Sequence, residues 1–374
     1  MDKKPYVLND TSNIVSPALI YYRDIILANT KRTIEMAGKA DRLWPHVKSH
    51  KTEEMIRMQV DMGITRFKCA TIAEAEMTAK AGGTHIILAY PLVGPNVSRF
   101  VRLASDHTQA VFYAIGDDLQ QLGILSDEAG KAGIKINVLV DADVGMHRTG
   151  VPLDKLEGFY ESACAKSASA FKNISLKGMH CYDGHLHDSD FNVRKAKSDE
   201  IDREVLKIQE ALSRKGLDCG LLVMGGTPTF PCRVQKDAMY LSPGTCFIGD
   251  WGYYKKFPDM AFPPGAAVLS RVVSHAGENT FTIDLGYKGI ASDPAGERGI
   301  IAGMEEAKPL FQSEEHWVFS LPEGQELPAI GSDCYVIPTH ICPTSALYPQ
   351  IVIAEGGKTT GEWQVSARNR RISY

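Results

Sequence analysis

Short β-rich runs alternate with helix-like segments through residues 43–241, and this alternation limits the possible folds more than any other feature of the chain. The segments between most of the runs repeat apolar residues at helical spacing. Strands that alternate with helices form a parallel sheet, and eight of them favour a closed (β/α)8 TIM-like barrel, with an open doubly wound sheet as the alternative. The eight runs are 43–48, 66–70, 85–90, 109–114, 135–141, 176–182, 221–224 and 238–241.

The two ends of the chain do not follow this alternating pattern. Residues 1–14 predict an extended arm, and a helix is expected from Ser16 to about Ala37. After the eighth run, prolines form a linker, and β-rich runs separated by glycine-containing turns predict an all-β domain. We therefore expect a barrel with an N-terminal arm over residues 1–256 and a β domain over residues 257–374.

Composition excludes several classes of partner. The net charge is -4 and the charges are dispersed, so nothing suggests a nucleic-acid footprint, and a small-molecule partner is favoured. No apolar run approaches the roughly 18 residues that a membrane span needs, and the first residues lack a signal-peptide core, so a cytoplasmic protein is expected. The eight cysteines include no Cys-x-x-Cys pair, which argues against a disulfide framework or a four-thiolate zinc site.

A lysine stands at the end of the first β-rich run. Leu43, Trp44 and Val47 lead into Lys48, and a helix-like segment follows from Thr52. Side chains at the carboxyl end of a barrel strand face the active site. A lysine desolvated there has its charged form disfavoured, so its amine is available as a nucleophile or Schiff-base partner. The alternative is an ordinary basic residue that follows a strand.

Glycine-threonine pairs follow the seventh and eighth runs. Gly226 and Thr227 come after the seventh run, and Gly244 and Thr245 come after the eighth. Exposed backbone N–H groups beside threonine hydroxyls form an anion site, and barrels frequently place a phosphate at these two loops. Either pair alone is typical of an ordinary turn, but two pairs at the expected strands predict a phosphate site.

An arginine follows the fifth run. Arg148 lies in the stretch 141–150, on the same predicted rim as Lys48. Its guanidinium stays protonated and is a fixed fork of donors, so it could face an aromatic nitrogen or a carboxylate. The alternative is that it forms a salt bridge with Asp141 or Asp143 and only shapes a turn.

Three histidines cluster at the end of the sixth run. His180, His185 and His187 lie within eight residues of one another and flank Tyr182. Histidine can shuttle protons or bind metals near neutral pH. A single histidine would more often be structural, but the cluster predicts at least one catalytic role.

A His-x-Cys pair occurs in the predicted β domain. On an extended backbone, residues i and i+2 point to the same face, so His340 and Cys342 could bind one cation such as Zn²⁺. Two ligands are an incomplete set, and by spacing alone such a pair is more often accidental. A catalytic metal with positions left open for substrate needs few protein ligands.

Six motifs, in order along nearly the whole chain, carry a resemblance to a known family. They are Pro45-His46-Val47-Lys48-Ser49-His50-Lys51, Asp143-x-Gly145-x-x-Arg148-x-Gly150, Tyr182-Asp183-Gly184-His185, Gly225-Gly226-Thr227-Pro228, Pro243-Gly244-Thr245 and Pro338-Thr339-His340-x-Cys342-Pro343-Thr344. With these motifs the chain resembles the D-threonine aldolase and D-serine dehydratase family, which shares the alanine racemase type of pyridoxal phosphate (PLP) fold.

The resemblance implies a role for each predicted site residue. Lys48 would carry PLP as a Schiff base, with Lys51 as the fallback. A divalent metal, zinc or manganese, would bind to His340 and Cys342. Family members are generally homodimers whose active site borrows residues from the partner chain, and a homodimer is expected here. The remaining cofactor residues would be Gly226, Thr227, Gly244 and Thr245 at the phosphate, and Arg148 and Tyr182 near the pyridine ring.

The resemblance leaves two lyase reactions open. The family's dehydratases more often show His-x-Cys at the metal, as Cys342 does here, whereas its aldolases show His-x-Asp. The segment from Tyr182 to His187 is more similar to the aldolase branch, where a histidine after the tyrosine is the base toward the β-hydroxyl. We therefore expect a lyase that cleaves D-3-hydroxy amino acids, for example D-threonine to glycine and acetaldehyde, with His187 or His185 as base.

Three other activities are alternatives to the aldolase. The first is a D-serine dehydratase-type ammonia-lyase, which would use the same binding residues and give a keto acid and ammonia. An amino-acid racemase is less expected, because a metal has no evident task in simple exchange of an α-proton. A non-catalytic PLP carrier is also less expected, because it would not need the histidine cluster or the His-x-Cys pair.

Overall fold

The computed structural model describes residues 2–374, which form two compact units. The first, called here the barrel unit, comprises Ile34–Lys48, Glu53–Gly244 and Asn369–Tyr374. The second, called here the β unit, comprises the residues up to Thr33 together with Ser49–Thr52 and Thr245–Arg368.

The strands and helices are numbered in chain order. The strands are β1 (Ala18–Tyr22), β2 (Arg66–Cys69), β3 (His85–Leu88), β4 (Val111–Gly116), β5 (Ile136–Asp143), β6 (Val151–Pro152), β7 (Ile174–Cys181), β8 (Leu221–Met224), β9 (Tyr240–Leu241), β10 (Ala266–Gly277), β11 (Thr280–Ile283), β12 (Gly299–Ile301), β13 (Lys308–Gln312), β14 (Trp317–Ser320), β15 (Asp333–Pro338), β16 (Gln350–Glu355) and β17 (Lys358–Gln364). The α-helices are α1 (Arg23–Ala37), α2 (Glu53–Asp61), α3 (Ile72–Lys80), α4 (Asn96–Asp106), α5 (Leu119–Lys131), α6 (Leu153–Ser169), α7 (Phe191–Arg214), α8 (Trp251–Lys256) and α9 (Ile341–Leu347).

The barrel unit is built on a parallel sheet with helices between its strands. Its strand order is β2-β3-β4-β5-β7-β8-β9, and β6 pairs with β5. The first predicted run, residues 43–48, lies beside both edge strands of this sheet. Leu43 forms a parallel bridge to Leu241 of β9, and His46 forms one to Lys68 of β2. The segment therefore joins the two ends of the sheet, and the predicted α/β barrel is confirmed.

The core inside the barrel is made by side chains that alternate along the strands. Trp44, Ile87, Tyr113, Leu139 and Val223 form one buried cluster. The Trp44 and Tyr113 rings meet edge to face with centroids 5.5 Å apart, a favoured aromatic geometry. Because successive side chains of a strand point to opposite faces, the polar residues at the carboxyl ends of these strands lie above this apolar layer.

The β unit contains a mixed sheet in the order β13-β14-β11-β10-β1-β16-β17, with β15 paired to β10 and β12. The predicted helix from Ser16 is wrong over its first part, because β1 is a strand that pairs antiparallel with β10 and parallel with β16. A central strand buried on both faces gives a continuous apolar run, which periodicity alone does not separate from a helix. Only from Arg23 is the chain helical, so β1 belongs to the β unit and not to an arm of the barrel.

No helix within residues 2–374 is both long and apolar enough to cross a membrane.

Candidate active site

Lys48 lies at the carboxyl end of the barrel strands. After the segment that joins the sheet ends, the chain forms a short 3-10 turn over Val47–Ser49. Two backbone hydrogen bonds hold the preceding residues: His46 N–H donates to Pro243 O at 2.9 Å, and Lys68 N–H donates to Pro45 O at 2.8 Å. Backbone hydrogen bonds to the neighbouring segments therefore fix the position of Lys48 at the rim of the barrel.

A second lysine lies beside Lys48. Lys68, near the end of β2, is only 2% exposed, and its Nζ lies 5.6 Å from the ring centroid of Tyr182. Burial and the charge of Lys48 lower the pKa of Lys68 to about 7, against the opposing effect of Asp183 and Asp141. A substantial share of Lys68 is therefore neutral near neutral pH.

Arg148 and Tyr182 lie in contact with each other. The guanidinium carbon of Arg148 lies 5.0 Å from the centroid of the Tyr182 ring, a cation–π contact. Within the described chain Arg148 forms no ion pair with Asp141 or Asp143. Asp143 instead lies 2.8 Å from His147, and Asp141 bonds to His180 and Thr149. The turn-shaping alternative for Arg148 is therefore wrong, and its donors remain free for a bound molecule.

Asp141 instead holds a buried histidine. His180 Nδ1 donates to Asp141 Oδ1 at 2.7 Å, and Thr149 donates its hydroxyl to the other carboxylate oxygen at 2.7 Å. Burial lowers the pKa of His180, although its bond to Asp141 opposes this. The lowered pKa favours the neutral imidazole, and its buried Nε2 has no partner among residues 2–374. A buried polar atom without a partner indicates a bound group.

The two glycine-threonine loops meet at the same rim. Gly244 N–H donates to Thr227 Oγ1 at 2.9 Å, which joins the loop after β8 to the loop after β9. A Cβ on Gly226 would approach Tyr182 Cε2 to 3.1 Å, so the loop backbone lies close to that ring. Thr227 N–H has no acceptor in the chain from residue 2 onward, which leaves it free for an oxyanion.

A buried ion network supports this loop. Arg233 donates to Asp183 Oδ2 at 2.6 Å and to Asp202 Oδ1 at 2.7 Å, and all three side chains are at most 2% exposed. A Cβ on Gly225, whose φ is +71°, would meet Thr229 Oγ1 at 2.5 Å and Arg233 Nη1 at 2.6 Å. The turn therefore needs glycine at position 225, both for its left-handed backbone and for the arginine packed beneath it.

The structure separates the two candidate bases. His185 is half-buried against Gly145, where a Cβ would come within 2.9 Å of His185 Nε2, and its buried Nδ1 has no partner within residues 2–374. His187 is exposed. Of the two, only His185 is held in place by the barrel unit.

The His-x-Cys pair lies in the β unit. Its backbone is not extended throughout, because α9 begins at Ile341, so the strand argument for the pairing was wrong. The side chains nevertheless interact. Burial opposes ionisation of Cys342, but the bond and charge of His340 lower the pKa of the thiol. Burial also opposes the charge on His340, while Cys342 and Asp293 raise its pKa to about 9.

Other polar groups fix the two candidate metal ligands. His340 Nδ1 lies 2.6 Å from Asp293 Oδ2, and Cys342 Sγ lies 3.2 Å from Ser49 Oγ and 3.4 Å from Thr245 Oγ1. Thr245, expected at the phosphate, is thus part of the β unit and touches the thiol. No group of three or more His, Cys, Asp or Glu side chains placed to hold a metal occurs within residues 2–374. The pair alone offers an incomplete, open site.

Models of two known domain families match successive parts of the chain. The model of the alanine racemase N-terminal domain matches residues 23–250, and that of a serine dehydratase domain matches residues 265–354. The chain belongs to the alanine racemase N-terminal domain family. The predicted family resemblance is therefore confirmed for both parts of the chain.

Aldolases and a dehydratase are among the proteins to which the chain is similar over most of its length. The 3-hydroxy-D-aspartate aldolase of Paracoccus denitrificans is 27% identical over 96% of this chain and 94% of its own. The crystal structure of D-threonine aldolase from Filomicrobium marinum has a TM-score of 0.86 at 26% identity and covers 95% of both chains. The D-threo-3-hydroxyaspartate dehydratase of Delftia is 22% identical over 93% of this chain and 96% of its own. This chain is a fold type III PLP enzyme related to these aldolases and this dehydratase.

Sequence reasoning missed Lys68, the Asp141–His180 pair and Arg233. A signal for Lys68 was present: Arg66 and Lys68 alternate in a short strand, so the two cationic side chains had to share one face of it. The pairings of Asp141 and Arg233 join residues far apart in the chain, and no local pattern indicates them.

Proposed function

We propose that this protein is a PLP- and divalent metal-dependent lyase that cleaves D-3-hydroxy amino acids to glycine and an aldehyde, as with D-threonine to glycine and acetaldehyde. The observation that carries the proposal is the group of cationic side chains around Tyr182 at the carboxyl end of the barrel strands. The similarity to a 3-hydroxy-D-aspartate aldolase at 27% identity, above the 22% to a dehydratase, favours the aldolase reaction. A homodimer is part of the proposal.

The residues of the barrel unit fit PLP. Lys48 would attach the cofactor covalently, Thr227 N–H with Gly226 and Gly244 would cradle its phosphate, and Arg148 would offer donors to the ring beside Tyr182. The free donor at Thr227 and the unpartnered buried Nε2 of His180 support this fit. When bound, PLP supplies an electron sink for the bond broken at the substrate α-carbon.

A histidine would take the proton from the substrate β-hydroxyl. We propose His185 ahead of His187, because a base must be held within hydrogen-bond reach and only His185 is packed in place. The loss of a positioned base typically lowers the rate by 10²- to 10⁴-fold. H185N should therefore reduce cleavage strongly and keep the absorbance of bound PLP, whereas H187N should retain most activity. The reverse ranking would assign the base to His187.

The β unit would contribute the metal. His340 and Cys342 supply an imidazole nitrogen and a thiolate, the ligands that Zn²⁺ accepts, while manganese is the alternative. A divalent cation lowers the pKa of an oxygen bound to it and orients that group. The Asp293 carboxylate would fix the orientation of His340 through Nδ1, which leaves Nε2 to face the cation.

A D-serine dehydratase-type ammonia-lyase is the second candidate. Cys342 in the His-x-Cys pair favours it, because that residue marks the dehydratase branch of the family. In this reaction the Lys48 amine would accept the α-proton and the hydroxyl would leave, giving a keto acid and ammonia.

Product analysis separates the two candidates. Purified protein with PLP and either Zn²⁺ or Mn²⁺ is offered a panel of D-3-hydroxy amino acids, including D-threonine, D-serine and D-3-hydroxyaspartate. Glycine with an aldehyde supports the aldolase, and ammonia with a keto acid supports the dehydratase. Absence of both sets of products, in protein that binds PLP, would contradict the proposal.

A further inference from the structure

The side chain of Lys68 is buried, and its amine contacts the face of the Tyr182 ring. It is 2% exposed, and its Nζ makes no hydrogen bond or ion pair in the part of the chain that the structure describes. The two carboxylates that act on its charge are engaged elsewhere: Asp141 binds His180 at 2.7 Å, and Asp183 binds Arg233 at 2.6 Å. The amine therefore keeps its hydrogen-bonding capacity available to a bound molecule.

The position of Lys68 restricts what that partner is. The β2 backbone at Lys68 bonds to Pro45, three residues before Lys48, and the Lys48 charge acts directly on Lys68. The Lys68 amine also faces the Tyr182 ring. In PLP the aldehyde carbon, which would attach to Lys48, and the phenolic oxygen are carried by neighbouring ring carbons. The other neighbouring carbon carries the phosphate arm, which the loops of Gly226 and Gly244 would hold. A second amine beside Lys48 would then lie next to the phenolic oxygen.

We propose that Lys68 is a further cofactor-binding residue, whose amine donates a hydrogen bond to the phenolic oxygen of PLP attached at Lys48. The inference rests on the proposed function, since it needs PLP at Lys48. The contact stabilises the phenolate and opposes a proton on the neighbouring imine nitrogen. Lys68 would therefore lower the pKa of the imine nitrogen of the bound cofactor.

The test is a pH titration of the absorbance of bound PLP in the wild type, K68M and K68R. K68M removes the charge and the donor and keeps most of the side-chain volume. We expect it to raise the pKa of the bound chromophore by about one unit, the size of a close charge effect, which is roughly tenfold in the protonation equilibrium. K68R keeps a cation and should titrate close to the wild type.

Arg66 provides the matched control. It lies on the same face of β2, two residues earlier, but its guanidinium packs over Trp44 and Tyr240 at 5.6 and 5.3 Å. R66M therefore removes a cation from the same strand away from the lysines, and we expect its titration to match the wild type. If K68M fails to fold, K68Q replaces it as the neutral variant.

The outcomes separate the two proposals. Borohydride reduction and peptide mapping first establish where PLP attaches in the wild type. Absence of any labelled peptide would refute the proposed function. Labelling at Lys48 with an unchanged titration in K68M would refute the Lys68 contact and leave the function standing. Labelling at Lys68 itself would overturn the assignment of both lysines.

Discussion

Replacing Arg233 by methionine removes the cation that holds two buried carboxylates together. In the native chain Arg233 donates hydrogen bonds to Asp183 and Asp202, and Lys236 donates to the second carboxylate oxygen of Asp202 at 2.6 Å. After the substitution Asp202 keeps Lys236, whereas the carboxylate of Asp183 keeps, among residues 2–374, only the hydroxyl of Thr229 at 2.8 Å. One buried carboxylate is therefore left without a compensating charge.

The magnitude follows from that single uncompensated charge. Removal of one partner from a buried ion pair costs about 3–5 kcal/mol, because the desolvation of the remaining charge is no longer offset. R233M should therefore destabilise the barrel unit by about this amount. The double variant D183N/R233M should recover most of the loss, because neither a buried cation nor the unpaired carboxylate of Asp183 remains. R233M should also weaken PLP binding, because Arg233 packs beneath Gly225.

The assay is equilibrium urea denaturation, with unfolding of the barrel unit monitored by hydrogen exchange in peptides from β7 and β8. Arg214 provides the control: it pairs with Glu210 at 3.1 Å, and both side chains are more than two-thirds exposed. Exposed pairs contribute at most about 1 kcal/mol, so R214M should change little. A loss below about 1 kcal/mol in R233M, or no recovery in the double variant, would refute the reasoning.

Three further predictions concern the lysine, a buried histidine and the metal. K48A should give no borohydride-labelled peptide with PLP, and label at Lys51 in the wild type would move the attachment to that residue. Burial and the Lys51 charge lower the pKa of His50 to about 3, from about 6.5 when unfolded. The unfolded chain thus binds the proton first, and stability falls as pH drops through this window, by roughly 2 kcal/mol between about pH 7 and pH 5. H50N, which keeps an acceptor for the Thr52 N–H, should flatten this dependence in urea titrations of the β unit. Chelation, or C342A, should abolish turnover and keep PLP absorbance, and only the chelated wild type should recover activity when Zn²⁺ or Mn²⁺ is added.

The polar groups of the site fall into two sets, those with a hydrogen-bond partner within the chain and those without one. Thr227 N–H, His180 Nε2 and the Lys68 amine lack one among residues 2–374, and all belong to the barrel unit. Asp141 pairs with His180, and Arg233 bridges Asp183 and Asp202. The first group is available to a cofactor, and the second holds the first in place. This division gives each proposed variant a distinct readout, spectral for the first group and thermodynamic for the second.

The sequence by itself determined the barrel, because each strand and helix carries its own periodicity of apolar residues. The predicted strand at Leu221–Met224 agrees with the structure at both ends, and six others agree within a few residues. The run 43–48 is not a regular strand, because it makes only isolated bridges at Leu43 and His46 and then a 3-10 turn. Lys48, Arg148 and Tyr182 were also predictable, since strand ends in a barrel share one rim. Only the tertiary structure decided that β1 is a strand, that Lys68 is buried against Tyr182, that Asp141 pairs with His180, and that His185 is packed while His187 is exposed. These facts depend on which distant strands meet, and a local pattern shows which face of a segment is apolar without showing what that face contacts.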